Sequence, residues 1–260
     1  MSSLLQVKNV TKRFGGVVAN RNVSFTIEGK NITGLIGPNG AGKSTLFNMV
    51  SAVFPPSEGE IWFENKRIDA LPSYKIAPMG ISRTFQNLQV FKKMTVIENV
   101  MVGLHTRTAS SLAAAAFRLP RSRKDEEFIY ENAMEVIKFI GLEDLIEVDA
   151  GNLPLGKLRL LELARALATK PKLLLLDEIA AGLNHQETLE MSELILKIRD
   201  RGISIFVVEH DMDLVMRICD KIIVLDQGEK IAEGTPKAVQ NNQRVIEAYL
   251  GAADEKELTV

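Results

Sequence analysis

Residues 31–50, NITGLIGPNGAGKSTLFNMV, decide the fold. The apolar run ITGLI reads as a buried strand, GPNGAGKST from Gly37 to Thr45 as a turn rich in glycine, and TLFNMV as the start of a helix. Gly37, Gly42, Lys43 and Ser44 satisfy G-x-x-x-x-G-K-[ST] in the strand, loop and helix context that this phosphate-binding pattern requires. Gly40 and Gly42 permit backbone conformations that aim successive N–H groups inward, and the helix N-terminus adds positive partial charge. Lys43 can reach β and γ phosphates, and the Ser44 hydroxyl can ligate Mg²⁺. The predicted nucleotide-binding loop is therefore Gly37, Pro38, Asn39, Gly40, Ala41, Gly42, Lys43, Ser44 and Thr45, with ATP and Mg²⁺ as its ligands.

Four more short apolar runs, ISRTF, KLLLLD, ISIFVVEH and KIIVLD, resemble ITGLI in being bounded by polar or glycine-rich turns. Such runs are how strands of a parallel α/β sheet, buried on both faces, look in sequence. Leu5, Val7 and Val10, then Val23, Phe25 and Ile27, alternate with a period near two, and GEIWFENKRI carries a turn at Glu64-Asn65, so antiparallel ribbons are expected near the N-terminus. Between 87 and 150 helical periodicity takes over. In DEEFIYENAMEVIKFIGL, Phe128, Met134, Ile137 and Ile140 fall near helical spacing behind an acidic start, with Gly141 as the stop. Arg118, Arg121, Arg123 and Lys124 read as a solvated loop between helices rather than a site for an acidic partner. The expected organisation is an ATP-binding α/β core with an antiparallel β subdomain over 1–86 and 151–250, a helical subdomain over 87–150, and a polar tail over 251–260.

Composition narrows the function classes. Thirty-two Lys and Arg against 33 Asp and Glu leave a formal net charge of -1, which does not point to a nucleic-acid partner. One cysteine, Cys219, excludes an internal disulfide framework and a multi-cysteine metal site. His105 and His185 read as surface or structural residues rather than metal ligands. No apolar run approaches the roughly 20 residues of a spanning helix, and MSSLLQVKNVTKRF carries charge where a signal peptide would be apolar. A cytoplasmic protein that meets a membrane through partners is expected.

Chemistry concentrates at the predicted strand ends. LLLLDE delivers Asp177 and Glu178 side by side at the carboxyl end of an apolar strand, where ligands of open α/β sheets sit. Alternation turns the two side chains apart, leaving Asp177 for the Mg²⁺ shell and Glu178 for an attacking water. Gln86 closes ISRTF and His210 closes ISIFVVE, so both should lie near the same phosphates.

Taken together, these motifs resemble the ATP-binding subunits of ABC transporters over residues 3–250. The shared order is Phe14 in KRFGG, the phosphate loop, Gln86, a helical region, a motif before ELARAL, LLLLDE, AAGLN and His210. The resemblance implies a P-loop NTPase (RecA-like) core. It assigns Phe14 to stacking on adenine, Gln86 to sensing Mg²⁺ and water, Glu178 to the general base, Asn184 to a loop facing a second subunit, and His210 to the γ phosphate. RTFQNLQVF, GLHTR, AAGLN, VVEHDMDLVM and VLDQGEKIAEGTP look like the ATPase subunits of branched-chain amino-acid importers, a pattern that systems for urea and other small organic solutes largely share. The implied partners are membrane permease subunits, a second ATPase subunit (a paralogue or self) sandwiching two ATP, and indirectly a solute-binding protein, with the chain peripheral on the inner face of the cell membrane. The rival is a soluble ATPase of the same type acting with a non-transport scaffold.

One motif, the family signature, departs from the usual pattern. Where L-S-G-G-Q is usual, this chain has Leu153, Pro154, Leu155, Gly156 and Lys157. The resemblance places Gly156 against the nucleotide held by the other subunit. Pro154 removes a hydroxyl and a backbone N–H. Two readings stand: a proline opening the helix LPLGKLRLLELARAL, or an asymmetric pair in which missing donors cost on the order of 10² to 10³ in rate. Leu88, Val90 and Phe91 likewise either meet a permease or fill the subdomain junction, within a Gln86–Val96 segment that joins the metal site to the helices.

Overall fold

A computed structural model describes residues 3–84, 88–104 and 120–257, with 120–125 and 251–257 described as backbone only. The first layer is an antiparallel sheet of β1 (Ser3–Phe14), β2 (Val17–Glu28), β4 (Glu58–Phe63) and β5 (Lys66–Arg67), in the order β2-β1-β4-β5. Glu64 and Asn65 join β4 to β5 with φ of 45° and 62°, the left-handed pair of a two-residue hairpin turn. The turn predicted there is present.

The second layer is a six-stranded sheet, ordered β10-β9-β3-β8-β7-β6. Its members are β3 (Ile32–Ile36), β6 (Ile81–Arg83), β7 (Leu173–Asp177), β8 (Ser204–Val208), β9 (Lys221–Asp226) and β10 (Glu229–Gly234). All five predicted apolar runs are strands and pair in parallel, while β10 adds an antiparallel edge to β9. Every residue of β3, β7 and β8 is buried. Strand alternation divides them between two cores. Leu173, Leu175, Phe206 and Val208 face the antiparallel sheet and helix α1 (Lys43–Val50), where the Phe206 ring lies 5.6 Å from both Phe25 and Phe47. Leu174, Leu176, Ile205 and Val207 face the opposite core, which is continuous with the helical layer.

That layer contains α2 (Val96–Leu104), α3 (Pro120–Ile140) and α4 (Leu155–Ala168), and α4 packs on both α2 and α3. The helical core thus continues beyond 150. The α3 stripe matches expectation at Ile137 and Ile140, with Met134 packed against the same core, and departs at Phe128. Ile129, Ala133, Ile137 and Ile140 are buried, whereas Phe128 is 53% exposed with the Lys170 ammonium 6.0 Å from its ring centroid. The i, i+4 series through Ile129 and Ala133 suits a close helix contact better than one that must accommodate a phenyl ring. The helix also starts earlier than the acidic cluster, with Pro120 as its first residue, the position where a missing N–H costs least. Arg121, Arg123 and Lys124, expected in a loop, are therefore helical; Arg118 lies outside the described residues. Gly141 ends α3 as expected, with φ 78° and bonds from Gly141 N to Lys138 O and from Leu142 N to Ile137 O, a Schellman turn.

After β7 come α5 (His185–Asp200), α6 (Met212–Ile218), α7 (Pro236–Gln240) and α8 (Gln243–Glu257). Residues 251–257, expected as a polar tail, continue α8. Among the described residues, no helix is long and apolar enough to cross a membrane.

Candidate functional site

The loop after β3 is braced from outside by the chain itself. Gly37 packs so closely on β9 that an added Cβ would lie 2.1 Å from Leu225 O, and at Gly42 it would lie 2.4 Å from Ala19 O. Gly40 and Gly42 take φ of 80° and 91°, a region that residues with side chains rarely adopt. Asn20 Nδ2 donates to Gly42 O at 3.2 Å and Gly228 N to Ala41 O at 3.1 Å. Strand β2 and the β9–β10 turn thus grip the outer side of the loop, and α1 begins at Lys43 with Gly42 as its N-cap.

Lys43 Nζ donates to the carbonyls of Gly37 and Pro38 at 2.8 and 2.9 Å. Burial lowers its pKa, and the nearby Glu178 carboxylate opposes that shift. An ammonium folded onto its own loop's carbonyls, under partial desolvation, is poised to exchange them for a polyanion. Ser44 lies exposed in the first turn of α1. The loop fits a phosphate chain: its two tight glycines leave room for backbone only, and its one ammonium is supplied from inside the loop.

Asp177, the last residue of β7, is buried, and its Oδ2 accepts from Arg83 Nη2 at 2.8 Å. Glu178 leaves the strand with φ 49°, an uncommon conformation for a side-chain-bearing residue and frequent at functional sites. Its N–H bonds Val208 O at 2.9 Å, so the β7–β8 pairing continues to the turn. Asp177 is in register with Val208, which brings Glu178 beside the chain that follows β8. His210 Nδ1 lies 3.7 Å from Glu178 Oε1, and the His210 side chain is largely exposed. Glu209, between them in the chain, turns inward: its Oε1 accepts from Ala180 N at 3.1 Å, and burial raises its carboxyl pKa. Asp177 and Glu178 have different neighbours, Arg83 for the first and His210 for the second, but the cause is the left-handed turn at Glu178 rather than the strand alternation expected.

No group of three or more His, Cys, Asp or Glu among the described residues is arranged to hold a metal. Mg²⁺ ordinarily takes one or two protein ligands and completes its shell with water and phosphate oxygens. Ser44 and Asp177 at the mouth of a phosphate-shaped loop fit that mode. Gln86, the third residue read toward the metal, lies outside the described residues.

Phe14 ends β1 in a hairpin with Val17, is 48% exposed and meets Phe54 edge-on at 5.5 Å. Lys12 Nζ lies 5.1 Å from the Phe14 ring and 4.7 Å from Phe54. Val17 is three residues along β2 from Asn20, so the backbone at the Phe14 hairpin is about 10 Å along the strand from its contact with the loop. That spacing suits a base at one end and phosphates at the other.

Pro154 is the N-cap of α4, one position before the first helical residue, and Leu158 N bonds its carbonyl at 3.0 Å. Leu155 is exposed, and a Cβ on Gly156 would lie 2.5 Å from Glu187 Oε1. Asn184 caps α5 with a reciprocal pair: Glu187 N donates to Asn184 Oδ1 and Asn184 N to Glu187 Oε2. The signature turn and the loop bearing Asn184 therefore share Glu187.

Sequence reasoning missed Arg83, Glu209 and Asn99. Asn99 is buried and ties down the 91–95 turn, accepting from Phe91 N and donating to the carbonyls of Phe91, Met94 and Thr95. Its signal in the sequence is an amide beside Glu98 among Val96, Ile97, Val100 and Met101 at the start of a helix. Of Leu88, Val90 and Phe91, only Phe91 is exposed, with the Arg165 guanidinium 4.8 Å from its ring centroid.

Comparison with known proteins gives two family matches: an ABC transporter model over residues 20–181 and a branched-chain amino acid ATP-binding cassette transporter model over 229–255. The chain is similar to the high-affinity branched-chain amino acid transport ATP-binding protein BraF of Pseudomonas aeruginosa, 41% identical over 251 residues, covering 96% of this chain and 98% of that protein. It superposes on the ADP conformation of an ATP-binding cassette of an ABC transporter with TM-score 0.84 and 34% identity, over 96% of this chain and 100% of the other. A dimeric ATP-binding cassette in a post-hydrolysis state, bound to ADP and Pi, matches with TM-score 0.75 and 26% identity, over 90% of this chain and 99% of the other.

Proposed function

The chain belongs to the ABC transporter family of ATP-binding cassettes, and from that premise we propose that it is the ATP-hydrolysing subunit of an importer for branched-chain amino acids. The observation that carries the reading is the meeting of the glycine loop, Lys43, Asp177, Glu178 and His210 at the carboxyl ends of three neighbouring strands. The match of residues 229–255 to the branched-chain cassette model supports the solute class.

In this reading Phe14 stacks on adenine and the residues from Gly37 to Thr45 wrap the phosphates. Ser44, Asp177 and Gln86 would hold Mg²⁺, which would supply charge neutralisation on the phosphates. Lys43 and His210 stabilise the transferring phosphoryl group, and Glu178 accepts the proton of the attacking water. A second cassette, a paralogue or another copy of the chain, supplies its signature turn across the nucleotide, while Gly156 of this chain faces the nucleotide of the other. The dimeric relative supports the pairing of two cassettes. Permease subunits hold the pair on the inner face of the membrane, and a solute-binding protein delivers the amino acid.

Uptake by membrane vesicles that carry the permease subunits tests the reading. Leucine accumulation is expected to need ATP inside and to vanish with Lys43→Ala. ATP turnover that no permease stimulates, with uptake unaffected by Lys43→Ala, would overturn it.

A further inference from the structure

Arg83 ends β6 opposite Leu175 of β7, with its side chain 14% exposed. One guanidinium nitrogen, Nη2, donates to Asp177 Oδ2 at 2.8 Å, while Nη1 donates to Asn48 Oδ1 and to Ser51 Oγ, each at 2.7 Å. Its carbon lies 4.9 Å from the centroid of Phe47. Asn48, Ser51 and Phe47 all belong to α1 or its C-cap, the helix that opens with Lys43 and Ser44. Ser44, Asn48 and Ser51 follow one another at i, i+4 and i+7, so they share a helix face.

A single planar group therefore spans from the carboxylate at the end of β7 to the α1 face that carries Ser44. The guanidinium fork is rigid, unlike an ammonium on a flexible stem. Octahedral Mg²⁺ tolerates little error in the placement of its ligands. Partners that orient ligands from behind govern metal affinity without touching the metal.

We propose that Arg83 is a positioning residue of the nucleotide site, whose guanidinium sets the spacing between Asp177 and the Ser44 face of α1 for Mg²⁺ binding. The proposal rests on the reading of Ser44 and Asp177 as the metal side of the site. Its chemistry distinguishes it from two simpler roles. A residue that only cements the core would weaken nucleotide binding with and without metal alike. One that merely occupies the metal's place would tighten Mg²⁺ binding when removed.

Calorimetric titration of the purified chain with ADP, in EDTA and across a Mg²⁺ series, separates these roles. In Arg83→Met and Arg83→Lys the Mg²⁺ concentration for half-maximal enhancement of ADP affinity is expected to rise about tenfold, while affinity in EDTA stays within about twofold of wild type. Lysine is not expected to rescue, because a point charge cannot brace both sides. The double variant Asn48→Ala, Ser51→Ala keeps the pair with Asp177 and removes the α1 anchors, so a smaller rise of about threefold is expected. That variant and Arg83→Lys decide the matter if Arg83→Met does not fold. An unshifted or lowered Mg²⁺ requirement, or a parallel loss in EDTA, overturns the proposal. Wild-type ADP affinity that ignores Mg²⁺ removes the metal reading and the proposal with it; a Mg²⁺-sensitive wild type with unshifted variants removes the proposal alone.

Discussion

The phosphate loop and the signature turn both present backbone at a helix N-terminus, yet they are built in opposite ways. Around Gly37 and Gly42 an added Cβ would strike main-chain carbonyls of β9 and β2, and Gly42 caps α1 in the left-handed region. Around Gly156 it would meet only the carboxylate end of Glu187, and the cap, Pro154, is in extended conformation with exposed Leu155 beside it. The first is a socket whose walls cannot move without disturbing the central sheet. The second is a surface with adjustable neighbours, suited to meeting something the chain does not itself provide.

Substitutions at the two glycines should separate these designs. Gly37→Ala is expected to abolish ADP and ATP binding in the isolated chain, because the clash falls on the backbone of β9; binding within about tenfold of wild type would mean the loop is not a fixed socket. Gly156→Ala is expected to leave binding by the isolated chain unchanged and to lower turnover of the assembled pair by about tenfold, less than the 10² to 10³ attached to removing a transition-state donor outright. Equal damage by both substitutions to binding in the isolated chain would erase the contrast. Asn184→Ala removes the cap that fixes Glu187 beside Gly156 and should cost about 1 kcal/mol in chemical unfolding, with nucleotide affinity unchanged. No change in unfolding midpoint would detach the cap from the signature turn.

An effect that vanishes at neutral pH and appears only in alkali belongs to Cys219, which packs beneath β3 where a Cβ on Gly34 would come within 2.8 Å of its Sγ. Burial pushes its thiol from 9.0 up to about 12. Below pH 9 the folded and unfolded chains both hold the proton, so its contribution is fully present. Between about 9 and 12 the unfolded chain releases the proton first, and stability should fall by up to about 1.4 kcal/mol per pH unit relative to Cys219→Ala. Parallel pH profiles of wild type and Cys219→Ala would show that the thiol is not held away from water.

What the sequence reveals follows the range of the forces involved. The parallel strands are legible because burial on both faces leaves no polar residue in runs such as LLLL, and the phosphate loop because φ near 80° to 90° selects glycine. Asp177 and Glu178 are legible because a strand must end where its ligands sit. Ile137 and Ile140 of α3 are legible too, but the start of that stripe is not, since Phe128 and Ile129 are both apolar and only packing on α2 and α4 selects between them. Strand β10 escapes because an edge strand with Lys230, Glu229 and Glu233 has a weak apolar pattern. Arg83 escapes for a different reason: its partners at 48, 51 and 177 are brought together only by the fold. The proline at 154 is legible as a helix opener, although it caps α4 from one position earlier than expected.

The central claim is that Glu178, lifted out of β7 in a left-handed turn beside His210, performs chemistry rather than binding. Phosphate release by the assembled transporter, measured for wild type and Glu178→Gln alongside ATP affinity, tests it most directly. The account predicts turnover reduced by about 10² to 10⁴ with ATP still bound at wild-type affinity; unchanged turnover, or lost binding in its place, would contradict it.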